Sequence, residues 1–83
     1  MVINNIEYDY SLLQNRIKEE GYSQTSLAKE LGMARNSMNL KLNNKAHFTQ
    51  SEIIKLSYLL GIGGDEIGEY FFSQIVRKTE LKV

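Results

Sequence analysis

The sequence predicts an all-α protein: a compact bundle of about five short helices, with an extended or strand-like C-terminal arm. Three observations carry this. Apolar residues recur at i, i+3 and i+7 through most of the chain, the period of one helix face. There is no proline, and the breaks fall at glycines, among them Gly21, Gly32 and Gly61. In the tail "FFSQIVRKTELKV" the helical period gives way to a weak alternation, which suits an arm, an edge strand or an unstructured end. A chain of 83 residues is expected to form one domain, with its core over 10–70 and the arm over 71–83.

Each helix has its own start signal. Tyr10, Leu13 and Ile17 mark the face of helix 1, about 10–20, with Asp9 as N-cap and a Tyr8–Leu13 staple. Ser23 caps helix 2, about 24–31. Its buried stripe is Leu27, Ala28 and Leu31, and Gly32 ends it as a left-handed residue. Helix 3 follows Gly32-Met33-Ala34, packs inward through Met38 and Leu42, and stops at Asn43-Asn44. Alanine is a poor cap at position 34. Helix 4, about 50–60, opens with a Thr49–Glu52 capping box and a Phe48–Ile53 staple. A last short helix, about 65–70, starts at Asp65, with Glu66 and Glu69 near its positive end.

Composition removes several function classes. Cysteine is absent, so there is no disulfide framework and no thiolate metal site. His47 is the one histidine and cannot build a metal site alone. The N-terminus "MVINNIEY" has neither the basic nor the apolar region of a signal peptide. No apolar run approaches the roughly 18 residues of a membrane span. The expectation is a soluble, cytoplasmic protein. "GIGGDEIGEY" is glycine-rich, but it follows a helix, lacks Gly-Lys-Ser/Thr and is acidic, so it reads as a helix end and turn rather than a nucleotide loop. No catalytic set is evident, and no enzyme activity, cofactor, metal or small-molecule ligand is expected.

The formal net charge is zero, yet the charges are segregated. Residues 31–48 hold Arg35, Lys41 and Lys45 and no acid, whereas 49–73 hold Glu52, Asp65, Glu66 and Glu69 against Lys55. A local positive stretch, not the net charge, is what meets phosphate. That stretch contains helix 3. Helix 2, a three-residue link led by glycine, and helix 3 have the spacing of a helix-turn-helix. Ala28 is small where helix 3 crosses it.

"YSQTSLAKELGMARNSMNLKLNNK" resembles the helix-turn-helix of the lambdoid phage repressor and Cro family. Gln24, Leu27, Ala28, Gly32 and Met38 fall on that family's pattern, and the likeness spans roughly 10–62. The continuation "KLNNKAHFTQSEIIKL" resembles short Cro-like regulators of phages of Gram-positive bacteria. The resemblance implies that Gln24 touches phosphate and braces helix 3. It implies that Arg35, Asn36 and Leu40 read bases, that Asn39 lies between them, and that Asn43 meets the backbone.

Helix geometry gives a separate reading of the same residues. At about 100° per residue, Leu40 and Asn36 point away from the Met38–Leu42 seam. Arg35 falls nearer the core side and must snorkel out. Asparagine can pair bidentately with adenine, arginine with guanine, and an outward leucine can touch a thymine methyl. The bland alternative for Leu40 is a stray apolar surface residue. Thr25 and Ser26, at the start of helix 2, could hold a phosphate; Ser37, Lys41 and Lys45 complete the phosphate set, with ordinary surface polarity as their alternative.

The expected function is sequence-specific binding of double-stranded operator DNA by a homodimer, without a membrane, in a bacterial host cytoplasm. Half-sites would lie about one turn, roughly 34 Å, apart. The apolar residues of 66–83 are the expected dimer surface, against the alternative that they close the monomer's core. The rival reading is a protein-binding module on a helix-turn-helix scaffold, of anti-repressor type.

Overall fold

The computed structural model describes residues 7–75. The chain runs β1 (Glu7–Tyr8), α1 (Ser11–Glu19), α2 (Gln24–Leu31), α3 (Arg35–Leu42), α4 (Gln50–Leu60), a 3-10 turn at Gly64–Glu66, α5 (Ile67–Phe71) and β2 (Gln74–Ile75). The five expected helices are present, and the start of the C-terminal arm is strand-like. Residues 76–83 of the arm lie outside the described residues.

Start signals act locally, and most hold. Ser23 Oγ accepts the Ser26 amide at 3.0 Å, and Ser26 Oγ accepts the Ser23 amide at 2.9 Å, a reciprocal box. Thr49 and Glu52 form the same device for α4, at 3.1 and 2.9 Å. Ala34 makes no side-chain cap, and α3 begins at Arg35. Asp9 acts one position outside the expected place. Its Oδ1 accepts the Ser11 amide at 3.0 Å while Tyr10 takes the cap position, so α1 starts at Ser11. The last helix also begins differently. Glu66 Oε1 accepts the Gly63 amide at 3.0 Å, which tightens residues 64–66 into a 3-10 turn before α5.

The first four helices end alike. One or two residues past each helix end a residue adopts a left-handed conformation: Gly21, Gly32, Asn44 and Gly61, with φ of 83°, 71°, 62° and 68°. The amide beyond it then reaches back over the last turn: Tyr22 to Ile17, Met33 to Ala28, Lys45 to Leu40 and Ile62 to Ser57, at 2.8–3.0 Å. These are Schellman closures. Three use glycine, which adopts this conformation without strain. The fourth uses asparagine, for a reason outside its own helix.

That reason is β1. Asn44 Oδ1 accepts the Tyr8 amide at 2.8 Å, and Asn44 Nδ2 donates to the Tyr8 carbonyl at 3.0 Å. One side-chain amide thus stands in for a neighbouring strand. On the other side of β1 lies β2, antiparallel, with Glu7 opposite Ile75 and Tyr8 opposite Gln74. The Asp9 amide continues that pairing to the Ser73 carbonyl at 2.7 Å. Glycine at 44 would satisfy the backbone of α3 but not β1.

The core fills the space between the helices. Leu13, Leu27, Met38, Leu56, Leu60 and Phe71 are fully enclosed. Edge-to-face rings extend the core toward the clasp: Tyr10 on Phe48 at 5.6 Å, Phe48 on Phe71 at 5.9 Å, and Tyr8 on Phe72 at 6.2 Å. Phe71 is buried, and Ile67 and Tyr70 pack against the core, so much of the segment expected to join two copies closes the monomer instead. Phe72 and Ile75 stay exposed. Arg16 locks α4 to α1. Its Nε donates to the Leu60 carbonyl at 2.8 Å and its Nη2 to the Gly61 carbonyl at 3.0 Å, at the negative end of α4.

Substitutions at Asn44 separate its two roles. Asn44→Gly keeps the left-handed turn and loses the clasp, at a cost of about 1 kcal/mol. Asn44→Ala also takes on the left-handed strain and costs about 2 kcal/mol. Urea unfolding should therefore rank wild type above glycine and glycine above alanine.

Candidate functional site

α2 and α3 make the most extensive contact of any two elements, across the Gly32-Met33-Ala34 link. α3 enters the core only through Met38 and Leu42. Its opposite face is therefore bare. Asn36, Asn39 and Leu40 are exposed there, and Leu40 keeps 39% of its surface open although it is apolar. Asn43 and Lys45 continue this exposed face past the helix end.

Arg35 is exposed as well, although helical spacing places it toward the core side. The first turn of α3 stands clear of the core, because the first inward residue is Met38. The four residues expected to read bases, Arg35, Asn36, Asn39 and Leu40, thus share one accessible helix surface.

The residues expected to meet phosphate are more divided. Gln24 is half-buried, and its Oε1 faces Asn39 Nδ2 at 3.4 Å, where it steadies α3 from the first residue of α2. Thr25 is exposed beside it. Asn43 Nδ2 turns back to the Asn39 carbonyl at 2.8 Å. Ser26 is occupied by the α2 capping box. Ser37 is half-buried. Lys41 is engaged elsewhere, since its Nζ donates to Glu52 Oε1 at 2.5 Å and its side chain is only 14% exposed. Thr25 and Lys45 are thereby left as the open polar rim of the α3 face, with Gln24 and Asn43 beside them engaged with Asn39.

The Lys41–Glu52 pair links the last turn of α3 to the first turn of α4. Burial alone would raise the Glu52 carboxyl, but its hydrogen bonds to Lys41 and Thr49 and the charge of Lys41 hold it below its ordinary value. Sequence reasoning assigned Glu52 to the capping box and Lys41 to the DNA side. The lysine lies eleven residues before its partner, across a loop, which local spacing does not reveal. Asn44 and Arg16 escaped the same way. Ile54 and Tyr58 had a visible signal, since they sit at i, i+4 off the Ile53–Leu56–Leu60 face; both are exposed.

Among the described residues, no group of three or more His, Cys, Asp or Glu side chains could hold a metal ion. None of the described helices is long and apolar enough to cross a membrane.

A family model described as a protein of unknown function, DUF739, matches residues 6–74. The chain belongs to this family. Among solved structures, it is similar to the solution structure of the modulator of repression (MOR) of the temperate bacteriophage TP901-1 from Lactococcus lactis. The identity is 35% and the TM-score 0.68, over 78% of this chain and 88% of that one. No curated protein matches. The DUF739 chain thus shares its fold with a small phage regulator, whereas membership of the lambdoid repressor and Cro group remains a resemblance of motif.

The Lys41–Glu52 pair predicts a pH dependence for this DUF739 protein. A carboxyl held below its ordinary value contributes stability that is complete above the unfolded value, near 4.5, and is lost as pH falls through the folded value. Glu52→Gln keeps an acceptor for the Thr49 amide and removes the charge. Its stability deficit against wild type should be full near neutral pH and shrink below about pH 4.5, as read by urea unfolding across the acid range.

Proposed function

We propose that this protein is a small phage transcription regulator that reads operator DNA with the exposed face of α3. The observation that carries this reading is that face itself. Amides, one arginine and an outward leucine stand together on the exposed surface of a short helix, with no acid from 31 to 48. In the major groove, Asn36 and Asn39 would pair with adenine, Arg35 with guanine, and Leu40 would touch a thymine methyl. Gln24, Thr25, Asn43 and Lys45 would meet phosphates at the groove edges. Lys41 would act indirectly, by holding the end of α3 against α4. The acids of 49–73 lie outside the helix-turn-helix, which is how a neutral chain can present a DNA-compatible surface. A homodimer on a two-fold symmetric operator fits the small area that one such module offers.

A second reading is favoured by the similarity to a protein whose title calls it a modulator of repression. On that reading the same α3 face captures another regulator, and the helix-turn-helix serves as a protein-binding scaffold.

The two readings differ in their response to salt. A dimer whose Arg35 and Lys45 side chains neutralise about four phosphates should lose roughly two orders of magnitude in affinity between 50 and 200 mM salt. DNA flanking the protein's own gene is the probe, with binding read by fluorescence anisotropy. Asn36→Ala should cost about 1–3 kcal/mol on that DNA and little on unrelated DNA. Leu40→Ala should act in the same direction. Binding without salt sensitivity, or binding unchanged by both substitutions, would remove the DNA reading and leave the protein-binding one.

A further inference from the structure

α4 has two apolar faces, and the core uses one. Leu56, Ser57 and Leu60 are buried, and Ile53 packs against the core. Ile54 and Tyr58 lie one turn apart on the outward side, 66% and 86% exposed. With Leu59, Lys55 and Glu30 of α2 they line an open hollow of about 300 Å³. Nothing in the fold requires an isoleucine and a tyrosine there. Tyrosine is a residue type that dominates protein contacts when it is covered, because its ring is large, rigid and amphipathic. Neither Glu30 nor Lys55 has an ion-pair partner among the described residues.

We propose that this hollow is the contact through which two copies of the chain associate, α4 against α4 about a two-fold axis. The charges select this occupant. In a two-fold contact each patch must complement itself after rotation. A rim of one sign would repel its own copy. Here the apolar centre carries one acid on α2 and one base on α4, so Lys55 of each copy can meet Glu30 of the other while Ile54 and Tyr58 interdigitate. The contact is independent of what α3 binds and differs from the 66–83 segment, whose Phe71 already serves the monomer. It is built on few side chains, against the roughly 800 Å² per partner of a standard interface, so the association is weak and concentration-dependent. Two copies held on one operator would be favoured by their proximity.

Sedimentation equilibrium on the full chain, without DNA, tests the contact. Wild type should show a reversible monomer–dimer equilibrium. Tyr58→Ala should weaken it at least about tenfold while leaving the thermal melt in place, because the side chain is outside the core. Glu30→Lys and Lys55→Glu should each weaken it about tenfold, since two pairs are lost per dimer. The double variant Glu30→Lys/Lys55→Glu should restore the dimer, and an equimolar mixture of the two single variants should form the mixed dimer in preference to either homodimer. A wild type that stays monomeric to millimolar concentration overturns the proposal. A dimer indifferent to Tyr58→Ala, or charge variants that fail to complement each other, overturns it equally. Loss of self-association with salt-sensitive DNA binding intact would sink this inference and spare the reading of α3.

Discussion

Among the described residues, no helix is long enough to stand alone. The longest has eleven residues and the shortest five, below the roughly 12–15 at which an isolated helix becomes even marginal in water. Every helix therefore depends on the shared core of Leu13, Leu27, Met38, Leu56, Leu60 and Phe71. To reach that core the chain must stop and turn promptly after each short run. Left-handed residues at 21, 32, 44 and 61 meet this constraint, each closed by an amide reaching back over the last turn. The turn at Gly32 has the widest consequence. It aims α3 so that Met38 and Leu42 enter the core, and the bare face of α3 follows from that aim.

The turn at Asn44 joins two problems in one residue. α3 needs a left-handed stop, and β1 needs partners for both backbone groups of Tyr8. A side-chain amide has one donor side and one acceptor, the complement of a peptide unit. Asn44 thus ends the helix and pairs the strand at once. β1 is thereby tied to the end of α3, and through β2 to the start of the C-terminal arm. The aromatic rings of Tyr10, Phe48 and Phe71 back this junction from the core side.

Charge is distributed with similar economy. Lys41 belongs to the acid-free stretch in sequence, but in space it is drawn to Glu52 and away from the open face. The polar surface of α3 is consequently richer in amides than in cations. Such a surface is better suited to discriminating among partners than to attracting nucleic acid at long range, because amides recognise hydrogen-bond patterns and carry no net field. The exposed faces of α3 and α4 are separable in composition. One is polar with a single leucine, and the other is apolar with one acid and one base at its rim.

The sequence by itself determined the helices. Their starts lie in cap residues three positions apart, their inward faces in a 3.6-residue period, and most of their ends in glycine; all of these act within a turn or two of chain. The bounds of α2, α3 and α4 and the exposure of Asn36 and Leu40 were legible for that reason. Tertiary structure alone decided which distant groups meet. Tyr8 pairs with a residue 36 positions away, Arg16 with one 44 away, and Lys41 with a carboxylate across a loop. No period encodes such partners, because a polar side chain takes whichever complementary group the packed helices bring within reach. Arg35 shows the same limit in reverse. Its angle on the helix was readable, but its exposure depended on where the core ended, and only the packed structure sets that boundary.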